Sequence, residues 1–262
     1  MYLPSGHAES SIEALFALIK ENPLGVLTTA IQSPSFPLLQ SSHIPWVLDV
    51  FSTDPDTPVK GRLRGHMAKQ NPQAKAIIEA LTAADSQSTS QLQQDVMILF
   101  TASYHHYVTP KFYTETKPVS GKVVPTWNYA AAQVYGKATI YYDSSSSETS
   151  EYLSQQVHDL SRMCETSIMG YTGQDERPGP WKVADAPDRY VDILKKNIIG
   201  IEIAIENIGG KFKMSQEMGV GDRNGVIEGF SNLGSDIGQK MSAVVKERGE
   251  MKDAAKMAWK QK

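Results

Sequence analysis

The chain has 262 residues, of which 40% are apolar and 21% are charged. A chain of this length can bury a substantial core without disulfides, and its composition is too apolar for an intrinsically disordered protein. The formal net charge of −3 excludes the overall positive field that drives sequence-independent binding to nucleic acids. The sequence therefore predicts a globular protein in which any contact with DNA is local.

Cysteine use and the N-terminal sequence bear on the compartment. Cys164 is the only cysteine, which excludes an intramolecular disulfide and a cysteine-ligated zinc or iron–sulfur site within one chain. The N-terminal residues show no basic stretch followed by an apolar run, and nowhere does the chain reach the roughly 20 apolar residues of a membrane helix. We expect a soluble cytoplasmic protein without membrane contact, with entry to the nucleus left open.

In the N-terminal part of the chain, an amphipathic helix precedes several strands and a second helix. Ser10 followed by Glu13 forms a capping-box pattern, and Asn22-Pro23 ends the helix that begins there. A second helix should follow Asn71-Pro72, because proline in a first helical turn costs little. The predicted strands are residues 24–31, 42–48, 59–63 and 95–101.

In the C-terminal part, glycines mark the predicted turns. Gly209-Gly210 can supply the tight turn of a hairpin, and the glycine-rich residues 219–225 are interpreted as another turn, because they lack the context of a phosphate-binding loop. A final helix begins near Ser235. The other predicted elements are a buried strand at 132–142, an amphipathic helix at 148–168, and hairpin strands at 198–205 and 211–214.

Strands with helices inserted between them, and no internal repeat, predict an α+β barrel rather than a doubly wound parallel sheet. We expect one barrel domain with helical insertions over residues 1–230. Residues 84–94, rich in serine and glutamine, predict a flexible surface linker. Residues 231–262 predict an amphipathic helix whose apolar side packs on the barrel or on a partner chain.

Several blocks, in this order and spacing, resemble the PaiB family of FMN-binding split-barrel proteins, which is named for a bacterial negative transcriptional regulator. The matching residues are 1–2 with 4, 42–45, 64–69 with 71–72, 105–113, 124–129, 134–136, 199–203, 210–216, 222–223 and 225–227. The resemblance implies a split β-barrel with peripheral helices that forms a homodimer, with FMN at the subunit interface. It also implies a regulator of transcription or a flavin-dependent oxidoreductase, and it identifies no catalytic residue.

The strongest candidate contacts to the flavin phosphate lie in the block RGHMAKQNP. In the more distantly similar pyridoxamine-phosphate oxidase superfamily, a basic residue shortly before an Asn-Pro pair meets the flavin phosphate, and that place falls on Lys69 here. Arg64, His66 and Asn71 join Lys69 at a predicted strand-to-helix junction, where backbone and charged side chains can hold a phosphate. The alternative interpretation is a solvated basic turn.

The candidate contacts to the flavin ring come from two later segments. Residues 104–113 offer His105, Thr109 and Lys111, although this segment departs from the family pattern and equally fits a packed loop that plugs the barrel. In the following segment, an extended chain places Trp127 opposite to Asn128, so only one of the two can face the ligand. Contact between subunits is the alternative role for the aromatic residues.

A haem-binding or haem-degrading protein on the same scaffold is the alternative function. Imidazole is the commonest donor to haem iron, and His43, His66 or His105 could be an axial ligand. The FMN interpretation requires no metal site.

A DNA-binding repressor is a third hypothesis, which rests on the basic tail. Residues 240–262 carry seven lysines and arginines against three acidic residues. DNA binding would require this helix to present its lysines to phosphate, with an affinity that falls steeply with salt. A solvated amphipathic helix explains the same pattern.

Overall fold

The computed structural model of the chain describes residues 1–83 and 90–260. Most of the predicted linker, residues 84–89, lies outside the described residues. Two compact units are present. Unit 1 comprises Met1–Leu18, Thr101–Ala132 and the described chain from Gly209 onward, and unit 2 comprises Ile19–Phe100 and Gln133–Ile208.

The described residues form eleven strands and seven helices. The strands are β1 (Ala8–Glu9), β2 (Leu24–Ala30), β3 (Leu39–Pro45), β4 (Val47–Val50), β5 (Gly61–Ala68), β6 (Val96–Thr101), β7 (His106–Val108), β8 (Thr126–Gly136), β9 (Ala138–Tyr141), β10 (Ile198–Ala204) and β11 (Asn207–Lys213). The helices are α1 (Ile12–Glu21), α2 (Pro72–Ala83), α3 (Thr116–Ser120), α4 (Ser147–Met163), α5 (Asp188–Lys195), α6 (Val220–Ser231) and α7 (Asp236–Lys260). Within this part of the chain, no helix is long and apolar enough to cross a membrane.

Antiparallel strands build unit 1. β11 lies between β1 and β8, with Ala8 opposite Lys211, and β7 pairs with β8. Gly209-Gly210 lies inside β11 and neither glycine has a positive φ, so the predicted tight turn at this position is wrong. Gly210 is required for another reason, because a Cβ there would collide with the side chain of Leu15.

Helices α6 and α7 complete unit 1. Residues 219–225 enter α6, so their interpretation as a turn is wrong. The glycines of α6 allow a close approach to the preceding loop, since a Cβ at Gly225 would meet the carbonyl oxygen of Phe112 and one at Gly229 would meet its ring. The final helix is confirmed, and it buries Met241 and Val245 completely.

Unit 2 contains two groups of antiparallel strands. One has the order β6–β2–β3 and the other has the order β4–β5–β10–β9. Helix α2 covers the first group, where the Gln73 amide donates to the carbonyl oxygens of Leu27 and Gln40. Helix α4 covers the second group, where the Tyr152 hydroxyl donates to the Ile201 carbonyl over 2.6 Å. The α+β class is thus confirmed as helices on antiparallel sheets, whereas barrel closure and dimerisation stay predictions.

Several element boundaries differ from expectation. The predicted strand at 132–142 is two strands, β8 and β9, and the helix predicted to residue 168 ends at Met163 in a π-helical turn. The end of the predicted linker is packed rather than free, because Leu92 is buried and donates its N–H to Ala138.

The cap of α1 is Ser11, one residue after the predicted Ser10. The Ser11 hydroxyl accepts the Ala14 N–H over 3.2 Å and donates to the Glu13 carboxylate over 3.0 Å. An N-cap oxygen of this kind satisfies one of the free amides of the first turn. The capping chemistry was predicted correctly and its position was wrong by one residue.

We expect Ser11→Ala to lower the free energy of unfolding by about 1 kcal/mol, because it removes the acceptor of the Ala14 N–H. Ser10→Ala is the matched control, and as a surface change it should stay within about 0.5 kcal/mol of the wild type. Urea unfolding followed by circular dichroism measures both variants. Equal losses in the two variants would contradict the assignment of the cap to Ser11.

Candidate functional site

The nine candidate residues fall into two groups, and each group is described within its own unit. Unit 2 contains Arg64, His66, Lys69 and Asn71, and unit 1 contains His105, Thr109, Lys111, Trp127 and Asn128.

Arg64 lies in the middle of β5, not at the predicted strand-to-helix junction. Its Nε and Nη2 donate to the Asp49 carboxylate over 2.7 and 3.0 Å, and Nη2 also donates to Asp159 over 2.9 Å. Burial by itself would lower the pKa of Arg64, but the hydrogen bonds that Arg64 donates to the two carboxylates outweigh burial and raise it. Arg64 is therefore an ion-paired, buried residue, and a phosphate would have to compete with both acids for it.

His66 lies on the same strand and faces helix α4. Its Nδ1 is 2.6 Å from Oε1 of Gln156, a fully buried residue. Burial lowers the pKa of His66, and the Gln156 hydrogen bond offsets this only in part. Burial therefore disfavours a positive charge on the His66 ring.

Lys69 and Asn71 do occupy the predicted junction, between β5 and α2. The Asn71 Oδ1 accepts the Gln73 N–H over 2.9 Å and so caps α2, while its Nδ2 donates to the Ser42 hydroxyl over 2.9 Å. The Lys69 N–H is bonded to Asn197. The Lys69 ammonium makes no hydrogen bond within residues 1–83 and 90–260, and its positive charge acts on the carboxylate of Asp143.

In unit 1, an aromatic face consists of His105, Tyr107, Trp127 and Tyr129. Tyr107 is directly opposite Trp127 in the β7–β8 pair, and their ring centroids are 6.3 Å apart. The Trp127 indole donates to Nδ1 of His105 over 3.3 Å, which places the histidine proton on Nε2. Trp127 is 50% exposed and Tyr107 is 43% exposed. The strand thus presents large aromatic surfaces that a ligand or a second chain could cover.

Two lysines of β11 border the aromatic face. The Lys213 ammonium donates to the Trp127 carbonyl over 3.0 Å and to the Thr126 hydroxyl, and the Lys211 ammonium lies 5.7 Å from the Tyr129 ring centroid. Burial lowers the pKa of Lys213. Neither lysine was a predicted site residue. The period of two along the segment KFK could have placed both on one face.

Asn128 points away from the aromatic face, as the strand alternation predicts. It is completely buried, and its amide donates to the Ser215 hydroxyl over 2.9 Å. Ser215 has a φ of 58°, a left-handed conformation that non-glycine residues rarely adopt. The Asn128 amide therefore holds the chain after β11 in place.

Thr109 and Lys111 belong to a short turn after β7. The Thr109 hydroxyl accepts the Lys111 N–H over 3.3 Å and caps the turn Pro110–Phe112. Lys111 is exposed and borders a cleft of about 410 Å³ together with Gly229. These two residues are separate from the aromatic face as defined above.

The haem hypothesis requires one of three histidines as an axial ligand, and this assignment stays a prediction. His43 is exposed on β3, and His66 and His105 have the partners given above. In the part of the chain that the structure describes, no group of three or more histidine, cysteine, aspartate or glutamate side chains could hold a metal ion.

A family model described as "Putative FMN-binding domain" matches residues 1–207. The chain belongs to this FMN-binding domain family. The matched range contains all nine candidate residues, and Lys211, Lys213, α6 and α7 lie beyond it.

The predicted resemblance to PaiB is confirmed by a bacterial relative. The protease synthase and sporulation protein PAI 2 of Bacillus subtilis is 23% identical over 248 residues, which cover 95% of this chain and 98% of that protein. An uncharacterized protein of Aspergillus fumigatus is 61% identical over 264 residues, covering 97% of this chain and 99% of the relative.

Among solved structures, an FAD and heme binding protein from Mycobacterium smegmatis aligns with a TM-score of 0.42 and 13% identity. The alignment covers 79% of this chain and 73% of that protein. Similarity of this degree does not establish a shared fold.

Proposed function

We propose that the protein binds FMN as a homodimer. The observation that carries the proposal is the match of residues 1–207 to the FMN-binding domain family. When bound, FMN supplies hydride and electron transfer. Each unit, taken by itself, offers residues that fit one chemical group of this cofactor.

The aromatic face of unit 1 fits the flavin ring. Trp127 and Tyr107 offer exposed ring surfaces for stacking. His105 retains an Nε2–H that can donate to a ring oxygen or nitrogen. Lys213 adds positive charge beside the same surface. In this proposal Asn128 does not touch the cofactor and fixes the chain that carries Lys213.

The junction of β5 and α2 in unit 2 fits the phosphate. Lys69 supplies an ammonium group, and the dipole of α2 favours an anion near its start, although Pro72 has no N–H and the Asn71 side chain already accepts the Gln73 N–H. Asn71 holds the Ser42 hydroxyl and so positions a further donor. Arg64 and His66 are positioning residues in this proposal, because their polar atoms are already bonded to Asp49, Asp159 and Gln156.

The first test is an absorbance spectrum of the purified protein before and after addition of FMN or haemin. Bound flavin gives bands near roughly 370 and 450 nm that stay with the protein through gel filtration. A sharp band near roughly 400 nm with haemin alone would replace the FMN proposal by the haem alternative. The elution volume of the same sample tests the homodimer.

We expect Lys69→Gln to weaken FMN binding about tenfold, because a lost hydrogen bond to a charged group is worth about 1.5–3 kcal/mol. Riboflavin binding should be unchanged, because riboflavin lacks the phosphate. Lys75→Gln is the matched control, an exposed lysine on α2. Quenching of flavin fluorescence on titration measures both ligands. A loss of riboflavin affinity equal to that of FMN would contradict a phosphate contact.

Three of the basic residues of α7 make contacts within unit 1. Arg248 is bonded to Glu9 and lies 3.7 Å from the Phe212 ring centroid. Lys252 donates to the Gln216 carbonyl over 2.6 Å, and Lys240 lies over the ring of Tyr104. These cations hold α7 against unit 1, so we do not assign them to phosphates of DNA.

A further inference from the structure

Beside the aromatic face, unit 1 presents two tyrosines and two lysines, which we call the tyrosine–lysine patch. Its members are Tyr2, Tyr129, Lys211 and Lys213. The Lys211 ammonium lies 5.7 Å from the ring centroid of Tyr2 and 5.7 Å from that of Tyr129. Tyr2 is 81% exposed, so its ring is open to a ligand. The patch shares only Tyr129 with the aromatic face.

Strand alternation places both lysines on one face of β11. Lys211 and Lys213 are two residues apart and half-buried, whereas Phe212 between them is buried. Side chains two residues apart in a strand point to the same side. The residue opposite Lys211 on β1 is Ala8, so the cross-strand neighbour supplies no carboxylate to pair with the lysine.

The positive charge of the patch is only partly neutralised. Burial lowers the pKa of Lys213, the charge of Glu217 offsets this in part, and repulsion from Lys211 lowers it further. The Glu217 carboxylate also lies 2.9 Å from Nε2 of His7. Lys211 makes no ion pair within residues 1–83 and 90–260. An anion bound between the two lysines would relieve their mutual repulsion.

The chemistry of the patch fits a nucleotide better than a simple anion. Two neighbouring ammonium groups match a phosphomonoester, which carries a charge of about −1.5 to −2 at neutral pH. The exposed ring of Tyr2 matches a base, because bases stack on aromatic side chains. An inorganic ion would use the lysines alone and would leave this ring uncovered.

We propose that the tyrosine–lysine patch binds a nucleotide other than FMN, with its base against the Tyr2 ring and its phosphate between Lys211 and Lys213. The Lys213 ammonium also donates to the Trp127 carbonyl over 3.0 Å, so the patch adjoins the proposed flavin-ring contact. The place of this nucleotide beside a flavin rests on the proposed function, whereas its binding to the patch does not.

The test is a calorimetric titration of the full chain, saturated with FMN, with adenosine monophosphate and with adenosine. Lys211→Gln should weaken the binding of adenosine monophosphate at least tenfold and leave adenosine unchanged, because adenosine lacks the phosphate. Tyr2→Ala should weaken both ligands about tenfold, and Tyr2→Phe should retain most of the affinity because it keeps the ring. Lys122→Gln is the matched control, an exposed lysine of unit 1 outside the patch.

Three results would overturn the proposal. They are wild-type protein that binds FMN but not adenosine monophosphate, equal affinities of Lys211→Gln and Lys122→Gln for adenosine monophosphate, and displacement of bound FMN by adenosine monophosphate. Displacement would assign the two lysines to the flavin's own phosphate. Wild-type protein that binds adenosine monophosphate but no flavin would support the patch and refute the proposed function, so the two failures are distinguishable.

Discussion

Arg64→Met should lower the free energy of unfolding by about 3–5 kcal/mol, because it leaves the Asp49 and Asp159 carboxylates without their shared guanidinium. The Arg64 side chain is 8% exposed and that of Asp159 is 11% exposed, whereas that of Asp49 is 25% exposed, so water can replace the lost bonds only in part. Arg162→Met is the matched control. Arg162 also pairs with Asp159, but at 3.7 Å and with 68% of its side chain exposed, so its loss should cost less than about 1 kcal/mol.

Urea unfolding at pH 7 measures both variants. Adding Asp159→Asn to Arg64→Met should recover part of the stability, because it removes a largely buried carboxylate that has lost its Arg64 partner. If Arg64→Met were no less stable than Arg162→Met, the ion-pair network would not be a determinant of the fold, and Arg64 would again be a candidate for ligand contact.

The ion pairs of Arg64 with Asp49 and Asp159 predict that the free energy of unfolding depends on pH. Burial by itself would raise the pKa of Asp49, but hydrogen bonds from Arg64 and Arg62 outweigh it and hold the pKa below the ordinary value of 3.8. The pKa of Asp159 is lowered in the same way, against burial, by Gln155 and Arg64. A carboxylate whose pKa is lower in the folded than in the unfolded protein stabilises the folded state at any pH above its pKa in the unfolded protein. This contribution to stability is lost as the pH falls through its pKa in the folded protein.

The difference in stability between wild type and Arg64→Met should therefore be complete at pH 7 and should shrink as the pH falls below the ordinary aspartate pKa. Urea unfolding over a series of acidic buffers measures it. A difference that stays constant down to pH values of about 2, well below that pKa, would show that packing of the Arg64 side chain, not its charge, is what the variant removes.

The sequence predicted local features of the site well. The alternation that separates Trp127 from Asn128 follows from the period of two in a strand, and the structure shows Trp127 exposed and Asn128 buried. Lys69 and Asn71 were predicted to precede a helix, because proline is favoured in a first helical turn, and α2 begins at Pro72. Such features depend only on residues that are neighbours in the chain, so they can be predicted from a single sequence.

Features that depend on distant partners were not predicted. Arg64 was interpreted as a phosphate contact because its partners, Asp49 and Asp159, are 15 and 95 positions away. Helix α6 was interpreted as a turn because its glycines have low helix propensity, and only the contact of Gly225 with Phe112 explains them.

Trp127→Ala should weaken the binding of FMN and of riboflavin equally, by about tenfold or more, because stacking of a base on an aromatic side chain is worth about 1–3 kcal/mol and the two flavins share the ring. Trp181→Ala is the matched control, since Trp181 is 48% exposed in a loop of unit 2 and lies outside the aromatic face. Trp127→Phe should retain most of the affinity. Fluorescence titrations with both flavins measure each variant.

The two flavins distinguish a ring contact from a phosphate contact. Trp127→Ala should affect both ligands, whereas Lys69→Gln should affect FMN alone, so the pair of variants tests each unit's part of the proposal separately. Flavin affinities of Trp127→Ala equal to those of Trp181→Ala would contradict the ring contact. Sedimentation of Trp127→Ala then tests whether the aromatic face is a contact between subunits. A weakened dimer would identify it as one, because exposed tryptophan is a frequent anchor of such contacts.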